Sequence, residues 1–282
     1  MADALLEARA VSRSFLPRGG ILRRRTGTIT AVDHVSCSLK PGQTLGLVGE
    51  SGSGKTTLAK LLIGLLMPTS GEVFVQGHAW SRLRGEALRA ARRAVQFIFQ
   101  DPTNSLNPRM NIEEILSEPL RIHRLAVGAA ARRRRVDELL ESVHLPATYR
   151  HRLPRELSGG ERQRVGIARA LATNPEALIC DEPIASLDVS IGAQILELLR
   201  TLTRARRTAL LFVSHDLRAV AALCDEIAVM KQGRIIETGP TDQLLNRPRD
   251  PYTELLIRCA ELDLDAPTVD DKPQTTDRSA SS

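Results

Sequence analysis

Short apolar runs rich in β-branched residues alternate along this chain with stretches whose apolar positions recur at helical spacing. That alternation predicts strands covered by helices. The uninterrupted run TLGLVG (44–49) predicts a strand buried on both faces, and TTLAKLLIGLL (56–66) predicts a helix ended by Pro68 and Gly71. EVFVQG (72–77) and AVQFIFQ (94–100) predict further strands. From about residue 110 to 157 the pattern is helical without strands, with RRRRVDELLESVHL (132–145) its clearest stretch. Strand–helix alternation resumes at ALICDEP (177–183) and continues through ALLFVSHD (209–216). It closes on the hairpin EIAVMKQGRIIETG (226–239), whose turn is Lys231-Gln232-Gly233. The prediction is one α/β core built on a parallel sheet and carrying a helical insert.

Composition narrows the class. The 282 residues are 42% hydrophobic and 26% charged, enough for a sizeable core in a soluble globular chain. The longest uncharged apolar runs, LLIGLLM (61–67) and TALLFVS (208–214), fall far short of the ~20 residues of a membrane span. No charged-then-apolar leader opens the sequence, so the cytoplasm is the expected compartment. Cys37, Cys180, Cys224 and Cys259 are scattered without a CxxC pair, so buried free thiols are expected rather than a disulfide or zinc framework. The tail DAPTVDDKPQTTDRSASS (265–282) has no large apolar residue apart from Val269 and is expected to be disordered.

The net charge of +6 comes from arginine, with runs at Arg23–Arg25, Arg132–Arg135 and around Arg204, Arg206 and Arg207. Eight aromatic residues (one Trp, two Tyr, five Phe) are too few for the stacking platforms of single-strand binders. The runs therefore read as solvated faces, with contact to anionic lipid as the lesser option, and no nucleic-acid partner is expected.

Between the strand at 44–49 and the helix at 56–66 lies GESGSGKTT (49–57), the context a phosphate-binding loop requires. Gly49, Gly52 and Gly54 let the backbone curl close to phosphate oxygens. The successive amides of Glu50, Ser51, Ser53 and their neighbours then point inward. Lys55 would neutralise the β- and γ-phosphates, Thr56 would ligate Mg²⁺, and Thr57 would sit by the α-phosphate. ALICDEP ends an apolar strand in two carboxylates: Asp181 suits Mg²⁺ through water, and Glu182, pointing differently, suits the general base that polarises the attacking water. His215, just past another strand, would reach the γ-phosphate. Gln100, at the end of its strand, would touch both metal and water.

LSGGERQR (157–164) sets two glycines at a helix start, where they cost stability. Ser158 and Glu161 form an S-x-x-E capping box. A plain cap does not need Gly159 and Gly160; a helix end lying against a bulky anion does. Because the phosphate loop already surrounds one side of the nucleotide, the economical inference is a second chain whose nucleotide this helix faces.

The phosphate loop, Gln100, LSGGE, DEP, SLD (186–188) and His215, in this order, resemble the ATP-binding subunit of an ABC transporter, over roughly residues 5–260. The resemblance implies a P-loop NTPase core with an antiparallel β subdomain and an inserted helical subdomain. It divides the chain into a first core part (1–105), a helical subdomain ending in the signature (106–160), a second core part (161–240), an importer-type extension (241–264) and the tail (265–282). It further implies two subunits closing head to tail over two ATP molecules with Mg²⁺, Asp188 lying between them. The family usually reads S-A-L-D where this chain has Ala185-Ser186-Leu187-Asp188, so only Asp188 is carried over. Phe15 matches the aromatic that stacks on adenine.

LPRGGILRRRTGTIT (16–30), DPTNSLNPRM (101–110) and PRDPYTELL (248–256) resemble the oligopeptide/dipeptide importer branch, more closely the second of its paired ATPases. That likeness implies a paralogous ATPase partner, or a second copy of the chain itself. It also implies two transmembrane permease subunits, an external solute-binding protein, and residence on the cytoplasmic face of the bacterial inner membrane. Cys259 alone cannot reproduce the cysteine cluster of some branch members, so no iron–sulfur cluster is expected. The alternatives are a nickel importer ATPase, a soluble ABC-type ATPase acting on DNA or ribosomes, and a non-catalytic regulatory subunit.

Overall fold

The computed structural model describes residues 4–16, 28–100 and 105–265. Along them run β1 (Leu6–Phe15), β2 (Ile29–Leu39), β3 (Thr44–Val48), α1 (Lys55–Leu62), β4 (Ser70–Val75), β5 (His78–Ala79), α2 (Gly85–Ala94) and β6 (Val95–Ile98). There follow α3 (Ile112–Ile122), α4 (Ala129–Ser142), α5 (Gly159–Leu171), β7 (Ala177–Asp181), α6 (Val189–Arg206) and β8 (Ala209–Val213). The last elements are α7 (Leu217–Leu223), β9 (Glu226–Lys231), β10 (Arg234–Pro240), α8 (Thr241–Asn246) and α9 (Pro251–Asp265). The expected tail from 266 onward, the 17–27 part of the basic stretch and residues 101–104 lie outside the described residues.

Six strands form the central sheet in the order β10-β9-β3-β8-β7-β6, parallel throughout except for the β9–β10 hairpin. A separate antiparallel sheet runs β2-β1-β4-β5. Every residue of β3, β7 and β8 is buried, which is why these strands read as continuous apolar runs and not as alternation. Their two-residue period still sorts side chains between two cores. Leu178, Cys180, Leu210 and Phe212 join the helical insert α3–α5 on one face. Ile179, Leu211 and Val213 join α1 and the antiparallel sheet on the other. Each such fully buried aliphatic or aromatic side chain contributes about 1.5–3 kcal/mol.

Two expectations shift. Helix α1 stops at Leu62, before the predicted Leu66, because Gly64 takes φ 67° and closes a Schellman turn. Its N–H donates to the Leu61 carbonyl at 3.0 Å, and the Leu65 N–H donates to the Lys60 carbonyl at 3.0 Å. The Trp80 ring stands 2.7 Å from where a Cβ on Gly64 would be, so no other residue fits. The cysteines are free as expected, but not all are buried: Cys180 and Cys224 are, Cys37 is half-buried, and Cys259 on α9 is exposed. Among the described residues no helix is long and apolar enough to cross a membrane.

Candidate active site

Parallel strands end in register, so the loops that follow β3, β6, β7 and β8 gather at one edge of the sheet, where such folds bind ligands. Residues 49–54 leave β3 and turn into α1, whose N-cap is Gly54 at φ 105°. A Cβ on Gly54 would lie 2.1 Å from the Ala31 carbonyl oxygen, so β2 presses on the loop and only bare backbone passes. Ser51 and Gly52 are exposed at the loop's crest, while Ser53 is buried. Lys55 is itself buried, its ammonium donating to the carbonyls of Gly49 at 2.7 Å and Glu50 at 2.8 Å. Burial pulls that ammonium below its ordinary pKa, against the carboxylates of Glu182, Asp181 and Glu50, which favour the charge. Thr57 is half-buried one residue beyond Thr56.

Three remote segments brace the loop. Gly233, in the β9–β10 turn, donates its N–H to the Ser53 carbonyl at 2.9 Å and accepts from the Asp33 N–H at 2.8 Å. The backbone of β2 lies against Gly54, as above. From α9, the Tyr252 hydroxyl accepts the Glu50 N–H at 3.0 Å. The Glu50 amide, expected among the phosphate contacts, is thus committed to Tyr252. Nothing in the local sequence points to Tyr252, which lies 202 positions away. The Ser53 hydroxyl is buried without a partner among the described residues.

The two carboxylates at the end of β7 point apart, as expected. Asp181, the last residue of β7, is buried and accepts the Thr56 hydroxyl at 2.9 Å. Burial raises its pKa, opposed by that hydroxyl and by Lys60 and Lys55. Glu182 turns away because its backbone adopts φ 46°, a left-handed conformation that costs a non-glycine residue about 1–2 kcal/mol. Its N–H is held by the Val213 carbonyl at 2.9 Å. The side chain meets Gln100, whose Nε2 donates to Oε2 at 3.0 Å, and His215, whose Nδ1 lies 3.4 Å from Oε1. Glu182 is 17% exposed and His215 60%, so the histidine is the outer member. Gln100 binds Glu182 and makes no hydrogen bond to the Thr56–Asp181 pair.

Ser158 caps α5 in a complete capping box: its hydroxyl accepts the Glu161 N–H at 3.2 Å, and the Glu161 carboxylate accepts the Ser158 N–H at 2.8 Å. Tyr149, unforeseen in the sequence, adds its hydroxyl to the other Glu161 oxygen at 2.7 Å. These bonds, the Ser158 N–H first, hold the Glu161 carboxyl below its usual pKa. The paired glycines also have a reason within the chain. A Cβ on Gly160 would meet the Ile191 methyl at 2.6 Å and one on Gly159 would meet Leu187 at 3.3 Å, so the start of α6 packs on the start of α5. Bare backbone here therefore does not by itself demand an anion. Ser158 remains exposed, and the signature residues Ser158, Gly159, Gly160 and Glu161 share no hydrogen bond with the 49–57 loop. Asp188 is the exposed N-cap of α6, followed by Val189 at 92% exposure. Phe15 ends β1 opposite Ile29, half exposed, with the Arg13 guanidinium 4.8 Å from its ring centre.

The oxygens of Thr56 and Asp181 form a hard, anionic donor set of the kind Mg²⁺ takes, and the glycine-lined loop admits a polyphosphate, so the residues fit both groups. Residues 32–185 match the ABC transporter family. The oligopeptide transport ATP-binding protein AppF of Bacillus subtilis is 43% identical over 256 residues, 90% of this chain and 78% of that protein. OppF of the same organism, also an oligopeptide transport ATP-binding protein, is 44% identical over 93% of this chain and 84% of its own length. Among solved structures, the dimeric post-hydrolysis state of the ATP-binding cassette MJ0796 bound to ADP and Pi superposes with a TM-score of 0.74 at 29% identity. It covers 84% of this chain and 98% of that one. With the loop, the paired carboxylates and the capped signature helix in one fold, the chain belongs to the ABC transporter family, as one of its ATP-binding cassettes.

Proposed function

We propose that this cassette hydrolyses ATP to energise peptide import through a membrane permease, from the cytoplasmic face of the bacterial inner membrane. The observation that carries the proposal is the double pairing at the sheet edge: Thr56 with Asp181, and Glu182 with both Gln100 and His215. The first pair, with Gln100, would hold Mg²⁺, which when bound neutralises phosphate charge. Apart from the Glu50 amide, which Tyr252 holds, the amides of the 49–57 loop and the Lys55 ammonium bind the triphosphate. Glu182 takes the proton of the attacking water as its oxygen bonds to the γ-phosphorus and the bond to ADP breaks. His215 orients Glu182 and reaches toward the γ-phosphate, and Phe15 stacks on the adenine.

The exposed Ser158 and the start of α5 serve a second cassette, whose nucleotide they cover, with Asp188 between the chains. That partner is a paralogous ATP-binding subunit or a second copy of this chain. Closure over ATP shifts an open–closed population and is transmitted to two permease subunits, which receive cargo from an external solute-binding protein. The proposed segments are core 1–105 and 161–240, helical subdomain 106–160, and an importer-type extension 241–264. Peptide as cargo rests on relatives named for oligopeptide transport.

Growth tests the cargo. Deleting the gene in an amino-acid auxotroph should abolish growth on the corresponding di- and oligopeptides while growth on the free amino acid persists. Undiminished peptide use, with growth becoming dependent on added nickel, would overturn peptide import.

A further inference from the structure

The Gly49–Glu50 peptide unit is held from both sides. Its carbonyl, on Gly49, accepts the Lys55 ammonium at 2.7 Å, and its N–H, on Glu50, donates to the Tyr252 hydroxyl at 3.0 Å. A peptide unit is planar and rigid, so fixing the N–H direction fixes the carbonyl direction. Lys55 also donates to the next carbonyl, Glu50, at 2.8 Å, so the ammonium hangs on two backbone oxygens flanking the bond to Tyr252.

Tyr252 is well placed to act as the fixed point. It is 6% exposed, and the Lys231 ammonium lies 4.4 Å from its ring centre. Lys231 ends β9, two residues before Gly233, whose N–H braces Ser53 at the far end of the same loop. The start of α9 is tied down as well. Asp250 accepts the Tyr252 N–H at 2.8 Å, and the Glu237 carboxylate on β10 accepts the N–H groups of Arg249 at 2.9 Å and Asp250 at 3.2 Å.

We propose that Tyr252 is a positioning residue for nucleotide binding: by holding the Gly49–Glu50 peptide it sets the place of the Lys55 ammonium and couples helix α9 to the phosphate loop. Tyr252 acts through that peptide and not on the reacting atoms, so it is not a catalytic residue. The proposal rests on the assignment of Lys55 to the phosphates. Removing the hydroxyl alone leaves the Glu50 N–H without its partner and frees the peptide to rotate.

The test is Tyr252→Phe, which keeps the ring and its contact with Lys231. Loss of one such hydrogen bond should weaken Mg·ATP binding by about three- to tenfold. It should also raise KM for ATP in proportion, with kcat at saturation and the melting temperature essentially unchanged. A purely structural contact would move the melting temperature and leave the split between KM and kcat untouched. The second arm uses Lys55→Ala: in that background, adding Tyr252→Phe should weaken nucleotide binding no further, because its effect runs through Lys55. If Lys55→Ala alone leaves affinity unchanged, the phosphate assignment fails. If Lys55→Ala binds poorly but Tyr252→Phe binds like the parent, or if the two losses simply multiply, or if Tyr252→Phe chiefly lowers the melting temperature, the positioning role fails by itself.

Discussion

Replacing Glu182 with Gln separates chemistry from everything else the residue does. The amide has the carboxylate's shape, so it still accepts from Gln100 Nε2, now 3.0 Å from Oε2, and still stands beside His215. The φ of 46° stays, so the backbone strain is the same in both proteins and folding stability should agree within about 0.5 kcal/mol. What disappears is the group we propose as acceptor of the attacking water's proton. A general base contributes roughly 10²–10⁴-fold, equivalent to about 3–5 kcal/mol of barrier. Steady-state phosphate release should therefore fall by at least a hundredfold. Equilibrium binding of Mg·ATP should hold or tighten, because one of the carboxylates around Lys55 has lost its charge.

Glu182→Gly completes the comparison. Glycine relieves the left-handed strain, worth about 1–2 kcal/mol, and loses about 0.5–1 kcal/mol to chain entropy. This variant should be inactive yet at least as stable as the parent, as read by denaturant unfolding. Turnover within tenfold of the parent in Glu182→Gln would refute the assignment of the base. A marked loss of stability in Glu182→Gly would refute the strain.

Gly54→Ala should destabilise the protein by ~3 kcal/mol or more, since the new methyl would sit 2.1 Å from a backbone oxygen at a φ of 105°; an unchanged denaturation midpoint would contradict this. Glu161 makes a prediction with a definite sign. Its folded pKa is depressed, so the stability it adds is complete above the ordinary carboxylate range and is lost as pH falls through the folded value. The melting temperature of Glu161→Gln should lie below the parent's at neutral pH and converge with it on acidification; a gap independent of pH would refute the capping-box contribution.

Local chemistry was legible in the sequence wherever neighbouring residues impose it. The loop between β3 and α1, the divergent directions of Asp181 and Glu182 at the end of β7, and the Ser158–Glu161 box each depend on a few adjacent positions, and each appears in the structure. Long-range constraints were not legible. Gly64 ends α1 early because of Trp80, whose ring lies within 2.7 Å of the position a side chain would take. Gly160 is bare where Ile191 crosses it, so a motif that suggested an anion also answers to packing. The left-handed backbone at Glu182, and the tie from Tyr252 to Glu50, depend on strands and helices brought together only by folding.

We propose that each reaction centre is divided between two chains, one supplying the phosphate loop and Glu182, the other the tip of helix α5. Its most direct measurement is the distance from Ser158 Oγ to the nearest γ-phosphate oxygen in a structure of the Glu182→Gln protein, assembled with its partner and loaded with Mg·ATP. The expected result is hydrogen-bond contact, about 3 Å, with a nucleotide held by the facing chain's phosphate loop. A paired, ATP-loaded assembly in which Ser158 faces solvent and no phosphate would contradict it.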